Sequence, residues 1–164
     1  MGGKNLPDPI AEREKALRDW KDERKAQSLA SAIVSYNQLA GGDEIAALCL
    51  APSLIVDAGE ILRDVRVLAI DVAEHERAGA YPILTISASY NGTMICGMLH
   101  AIHSVLQDQL ASLDVQVGTN IEAIASLGER TKDNGETYGL WKVLGAGREI
   151  ARYDWGTRKA KGRR

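Results

Sequence analysis

The fold class is decided by two runs of sequence, Val65-Arg-Val-Leu-Ala-Ile-Asp-Val72 and Ile83-Leu-Thr-Ile-Ser-Ala-Ser-Tyr90. Both runs have the length of a strand, and the first is mainly apolar. The second alternates apolar with hydroxyl residues, which is the period-2 pattern of a strand. Because the polar segment Glu74 to Gly79 joins them, we expect an antiparallel hairpin. The alternation predicts a core-facing set, Leu84, Ile86, Ala88 and Tyr90, and a solvent-facing set, Thr85, Ser87 and Ser89.

The residues after this hairpin predict a central helix. Asn91-Gly92 turns the chain, and Thr93 to Asp114 places its large apolar residues in one narrow sector at about 100° per residue. Those residues are Ile95, Leu99, Ile102, Leu106, Leu110 and Leu113. The capping-box pattern Thr119-Asn-Ile-Glu122 then predicts a shorter helix that continues through Leu127.

A long helix is predicted near the N-terminus, over residues 9–40 and about 45 Å long. Asp8 can cap it, Pro9 fits its first position, and the Gly41-Gly42 pair ends it. Residues 12–25 contain six basic and five acidic residues and only Leu17 and Trp20 as large apolar groups. We therefore expect this half to be an arm that leaves the core or lies on a partner. The alternative is a solvated helix that is held by its own ion pairs.

The remaining segments complete an α+β layout. Asp43 to Leu50 is a short helix or the lead-in to a strand, Ser53 to Val56 is a short strand, and Tyr138 to Leu144 forms a second hairpin with Arg148 to Trp155. We expect a single domain with a largely antiparallel sheet covered by helices. Its predicted divisions are a flexible N-terminus (1–8), the long helix (9–40), the core (43–155) and a flexible basic tail (156–164).

Composition indicates an ordinary globular chain. The protein has 164 residues, is 45% hydrophobic and contains no Phe, so aliphatic side chains must fill most of one core. Cys49 and Cys96 both lie in apolar runs, where a free Cys behaves as a small hydrophobe. This favours free thiols and a reducing compartment; the alternatives are a disulfide or a reactive thiol. The sequence shows neither a secretory signal nor an apolar run of membrane-spanning length. We expect a protein that is cytoplasmic or part of an assembled particle, is not secreted and has no membrane partner.

Charge is concentrated at the C-terminal end. Residues 148–164 contain seven Lys or Arg against Glu149 and Asp154, a net charge of +5. The whole chain carries −2, so residues 1–147 carry −7. A basic end of this kind favours nucleic acid or an acidic protein surface as its partner; the alternative is a tail that only improves solubility. The predicted contact residues are Arg158, Lys159, Lys161, Arg163 and Arg164.

Two groups of side chains could carry chemistry. Cys96, His100 and His103 would share one flank of the predicted central helix, where such spacings can aim ligands at a metal or pair a nucleophile with a base. The alternative is the polar rim of an amphipathic helix. A second group could hold a divalent cation or take part in acid–base chemistry; the alternative is a solvated loop. It comprises Asp71, Glu74, His75 and Glu76, with Asp57, Glu60 and Asp64 upstream.

No motif indicates a cofactor. The Gly145-Ala-Gly147 segment lacks the third glycine of a dinucleotide loop, and the sequence contains no Gly-Lys-Ser/Thr phosphate loop. We expect a non-enzymatic, homo-oligomeric assembly or interaction protein, an analogy with small phage and viral particle components. The alternatives are a small hydrolase or transferase that uses Cys96, His100 and His103, or a host nucleic-acid-binding module.

Overall fold

The hairpin of residues 65–90 lies at the centre of the sheet in the computed structural model, which describes residues 8–77, 79–131, 133 and 137–145. The chain is a single α+β domain, as the sequence predicts. The elements are α1 (Pro9–Ala40), α2 (Glu44–Leu50), β1 (Ile61–His75), β2 (Gly79–Tyr90), β3 (Thr93–His100), α3 (Ser104–Ser112), β4 (Asn120–Thr131) and β5 (Thr137–Leu144). The five strands form one antiparallel sheet in the order β3-β2-β1-β4-β5.

β1 and β2 form the expected hairpin, but its loop is shorter than the polar segment suggested. Pairing continues to His75 opposite Gly79, so both ends of that segment belong to the strands. β1 also pairs with β4 through Ile61 to Arg66, which makes β1 the central strand of the sheet.

The predicted helix over residues 93–114 is wrong in its first part. Residues 93–100 are β3, and only Ser104–Ser112 is helical. Asn91 and Gly92 both have positive φ, 49° and 81°, as the two central residues of a type I′ hairpin turn do. A spacing of four, as between Ile95 and Leu99, fits both strand and helix periods. The two-residue turn is therefore the signal that identifies residues 93–100 as a strand.

The predicted helix over residues 119–127 is also wrong, because this segment lies within β4. The Thr119 hydroxyl accepts a hydrogen bond from the backbone N–H of Gln116 at 2.8 Å, within a turn that precedes the strand. β4 pairs with β1 on one side, with Ile121 opposite Val65, and with β5 on the other. Pairing on both sides outweighs the local capping signal.

The long helix α1 has the predicted bounds and is about 48 Å long. A side-chain oxygen of Asp8 accepts from the backbone N–H of Ile10 at 3.0 Å, so Asp8 is the expected cap. A side-chain oxygen of Asp43 accepts from the backbone N–H of Ala46 and caps α2. Of the two alternatives predicted for this segment, the helix is therefore confirmed. No described helix is both long and apolar enough to span a membrane.

Both faces of β2 are buried, which corrects the predicted solvent-facing set. Thr85 and Ser87 are only 5% and 7% exposed. They pair with Met98 and Cys96 of β3, and directly opposite residues point to the same face. That face meets α2 and the end of α1. Its cluster comprises Ala47, Ala51, Leu68 and Cys96, with Tyr36, Leu39, Leu48 and Met98 packed against it.

The main core lies on the other face of β2. Its largest fully buried aliphatic side chains are Leu62, Val65, Val67, Leu84, Ile86, Leu106, Leu110, Val115, Ile121 and Ile124.

Residues 53–56 do not form the predicted strand; the segment makes a single parallel bridge between Ser53 and Met98. The Met98 N–H donates to the Pro52 carbonyl at 2.7 Å, and the Leu54 N–H donates to the Met98 carbonyl at 2.8 Å. These bonds cover the outer edge of β3. At Gly97 an added Cβ would lie 2.4 Å from the Leu54 side chain, so the segment packs directly on the glycine.

A glutamine side chain of α3 forms hydrogen bonds with the backbone at the outer edge of β5. Gln109 of α3 donates to the Trp141 carbonyl and accepts from the Val143 N–H at 2.7 Å, as a neighbouring strand would. β5 agrees with the predicted Tyr138–Leu144 strand and pairs with β4. The proposed partner strand, residues 148–155, lies outside the described residues, as do residues 1–7 and the basic tail.

Candidate functional site: an exposed helical arm and its anchor

The first half of α1 is exposed on all sides. Every residue from Pro9 to Arg24 is exposed, over about 24 Å of helix. Ile10, Leu17 and Trp20 are 68%, 51% and 52% exposed. We call residues 9–24 the arm, since the helix becomes half-buried only at Lys25.

Lys25 anchors the base of the arm to the body. Its Nζ forms ion pairs with Asp57 and Glu60, in the segment that leads into β1. Glu60 also accepts from the Tyr90 hydroxyl at the end of β2 and, at 2.7 Å, from the backbone N–H of Asp57. We call Lys25, Asp57, Glu60 and Tyr90 the anchor. It joins α1 to the two central strands of the sheet.

The anchor shifts the pKa of its groups in opposite directions. Burial by itself would lower the pKa of Lys25, but hydrogen bonds to Asp57, Glu60 and Tyr90 outweigh it and raise that pKa. Burial would raise the pKa of Glu60, but the bonds from Lys25 and Tyr90 lower it. Burial and the bond to Glu60 raise the pKa of the Tyr90 phenol. Lys25 and Glu60 are therefore held in their charged forms.

A groove of about 410 Å³ lies between the last turn of the arm and the body. Trp20, Lys21 and Arg24 line its arm side, and Ile55 and Asp57 line its body side. The Arg24 guanidinium lies 5.0 Å from the centre of the Trp20 ring, the distance of a cation–π contact.

Cys96, His100 and His103 do not share a helix. Cys96 and His100 lie on β3, roughly 13 Å apart along the strand, and His103 precedes α3. Cys96 is fully buried, and burial raises the pKa of its thiol, while Ser35 acts in the opposite direction through a hydrogen bond. The His103 ring lies 6.4 Å from the Trp141 ring. The proposed metal or nucleophile constellation is therefore not assembled.

His100 has two different partners. Its Nε2 lies 2.9 Å from the Ser53 hydroxyl, and its Nδ1 lies 3.1 Å from the Tyr81 hydroxyl. A serine bonded to an imidazole can act as a nucleophile–base pair. Here the backbone on both sides of Ser53 is already bonded to Met98. We therefore assign this contact to holding residues 52–54 on the edge of the sheet.

The acidic residues that were candidates for a cation site are divided by the structure. Asp57 and Glu60 belong to the anchor, whereas Asp71, Glu74 and His75 lie on β1 near the hairpin loop. Within the described part of the chain, no three His, Cys, Asp or Glu side chains are placed to hold a metal ion. The predicted polyanion contacts lie outside the described residues; they are Arg158, Lys159, Lys161, Arg163 and Arg164.

Comparison with known proteins gives no relative. No family model matches the sequence, and neither a curated protein nor a solved structure is significantly similar to it.

The anchor is the feature that sequence reasoning missed. Lys25 was one of many charges in residues 12–25, and its carboxylate partners are 32 and 35 positions away. The one available signal is position, because Lys25 stands immediately before the point where apolar residues begin to recur in α1, at Leu29.

Proposed function

We propose that this protein is a non-enzymatic assembly or interaction protein, which associates with copies of itself and contacts a polyanion through its basic C-terminal end. One observation carries the proposal: a helical arm with three large exposed apolar side chains, Ile10, Leu17 and Trp20, is held out by an anchor at its base.

The arm is suited to a partner and not to the core of its own domain. Between Pro9 and Arg24 it buries no side chain, and most helical stability in proteins comes from packing of an apolar face. Ile10, Leu17 and Trp20 lie on one side of the arm, and exposed apolar residues that are grouped within a polar rim are typical of interaction surfaces. Since most soluble oligomers are symmetric assemblies of one chain, a second copy is the partner we propose.

The C-terminal end supplies the second contact. Because residues 1–147 carry −7 and residues 148–164 carry +5, a polyanion would be attracted by the end and repelled by the rest of the chain. Phosphate contacts of Lys and Arg position a protein on nucleic acid without reading its bases. We therefore propose binding without sequence preference, to nucleic acid or to an acidic protein surface.

A chain that contains both a helical interaction arm and a basic C-terminal segment suits a component that assembles beside packaged nucleic acid. A phage or viral particle component is the context we propose by analogy. A host nucleic-acid-binding module is the alternative, and it would share the basic end without self-association.

Sedimentation velocity tests both parts of the proposal. The intact protein should sediment as an oligomer without nucleic acid and should bind a single-stranded oligonucleotide at low salt. A matched variant in which Arg158, Lys159, Lys161, Arg163 and Arg164 are all replaced by Gln keeps the length of the chain. It should keep its oligomer mass and lose oligonucleotide binding. A monomer at all concentrations would contradict the assembly role.

A further inference from the structure

The arm has two chemically different sides. On a helix with about 100° per residue, Ile10, Arg13, Trp20, Lys21 and Arg24 lie within about 60° of Leu17. Glu14 is the only acid at the rim of this side. The other four acidic residues of the arm lie about 120–160° from Leu17; they are Glu12, Asp19, Asp22 and Glu23. We call the first side the Leu17 side; it is apolar and cationic.

A surface of complementary character lies at the other end of α1. Residues 26–56 contain no Lys or Arg, and their only charged residues are Asp43 and Glu44. α2 exposes Ile45 at 77% and Leu50 at 47%, and Cys49 is exposed as well. We call Glu44, Ile45, Cys49 and Leu50 the α2 face. Ile45 and Cys49 lie at its centre, about 40° apart around the helix, and Glu44 and Leu50 lie at its two rims. It offers apolar area and negative charge, and a cationic arm would not meet a like charge there.

We infer that the Leu17 side of the arm docks on the α2 face of a second copy of this chain. Apolar side chains of the arm would cover Ile45 and Cys49 at the centre of the α2 face, and Lys21 or Arg24 would approach Glu44 at its rim. This inference rests on the proposed self-association and specifies which two surfaces meet. If each chain gives its arm to the other, the contact closes as a two-fold dimer.

The contact cannot form within one chain. The hydroxyl of Ser35 in α1 donates to the Ala47 carbonyl of α2 at 2.7 Å, which fixes α2 beside that turn of the helix. Leu17 and Ser35 belong to the same helix and are about 27 Å apart along it. A disulfide requires Cα atoms within about 7 Å, so any disulfide between positions 17 and 49 joins two chains.

The two natural cysteines make a direct test possible. Leu17→Cys places a thiol at the centre of the Leu17 side, opposite the natural Cys49 of the α2 face. Cys96 is fully buried and is an internal control for unfolding. Under mild oxidation, Leu17→Cys should give a disulfide-linked dimer, and peptide mapping should find the bond between positions 17 and 49.

Asp19→Cys is the matched control, because Asp19 is also exposed but lies about 160° from Leu17 around the helix. It should remain uncrosslinked, and Leu17→Cys combined with Cys49→Ser should lose the 17–49 bond. Equal crosslinking of Asp19→Cys would overturn the inference. Bonds between two copies of position 17 alone would show instead that the arms pair with each other.

Sedimentation separates failure of the inference from failure of the proposed function. An oligomer that gives no 17–49 bond would overturn the docking surface and leave self-association standing. A monomer would overturn both. As a second measurement, Glu44→Lys should weaken self-association by up to about five-fold, the range of one exposed ion pair, and addition of Lys21→Glu should restore it.

Discussion

Replacing a leucine by alanine should greatly reduce the stability of the fold in the core and leave it almost unchanged in the arm. Leu106 of α3 is fully buried in the main core, and truncation of such a leucine costs about 2–5 kcal/mol. For a chain of this size, about 2–4 °C of melting temperature is lost per kcal/mol, so Leu106→Ala should melt about 4–20 °C lower. Leu17 is 51% exposed, and Leu17→Ala should change the stability of the monomer by less than about 0.5 kcal/mol.

Thermal melts over a range of protein concentrations would measure both effects. Leu106→Ala should be destabilised equally at every concentration, because its contacts lie within one chain. Leu17→Ala should differ from the unmodified protein only at concentrations where oligomers form. A Leu106→Ala melt within a degree of the unmodified protein would refute the assignment of the core. A large loss in dilute Leu17→Ala would show that the arm packs on its own body.

Four further outcomes are expected. Gly97→Ala should lower the free energy of unfolding, as measured in urea, by about 1–3 kcal/mol. The added methyl group would clash with the Leu54 side chain, which packs on Gly97. The lowered pKa of Glu60 gives stability that is present at neutral pH and lost as the pH falls through that pKa; Glu60→Gln should therefore flatten the acid limb of a pH–stability curve. In protein diluted until it dissociates, a maleimide should label exposed Cys49 rapidly and buried Cys96 only on unfolding. Deletion of residues 157–164 should reduce the log–log salt slope of nucleic-acid binding by about 3.5–4.5 units.

Local signals were sufficient for α1 and for the central hairpin. Asp8, Pro9 and the glycine pair after Ala40 mark both ends of α1, and the structure has the same bounds. The hairpin follows from two runs with strand periodicity and a short polar link. In these segments propensity, capping and apolar period agree, so no long-range information was required.

The third and fourth strands required information that local patterns lack. In β3 the spacing of Ile95 and Leu99 fits two periods, and only the Asn91-Gly92 turn separates them. In β4 a capping box precedes a segment whose neighbours, β1 and β5, are distant in sequence. The burial of Thr85 likewise depends on helices that cover the second face of the sheet.

The candidate site was predictable in part. Exposure of the arm followed from its scarcity of apolar residues, since such a segment cannot bury enough area to join a core. The anchor was not predictable, because Lys25 is 32 and 35 positions from Asp57 and Glu60 and meets them only through tertiary packing. His100 was grouped with Cys96 on a helical spacing, and it contacts Ser53 and Tyr81 once that segment is a strand.

Sedimentation equilibrium of a chain that lacks residues 1–24 measures whether the arm is required for self-association. This deletion removes the arm and leaves Lys25 and its ion pairs in place. Deletion of residues 1–7 alone is the matched control, since it keeps Asp8 as the cap of α1. We expect the larger deletion to give a soluble, cooperatively folding monomer and the control to keep the mass of the intact protein. An unchanged oligomer after the larger deletion, or loss of the fold, would contradict it.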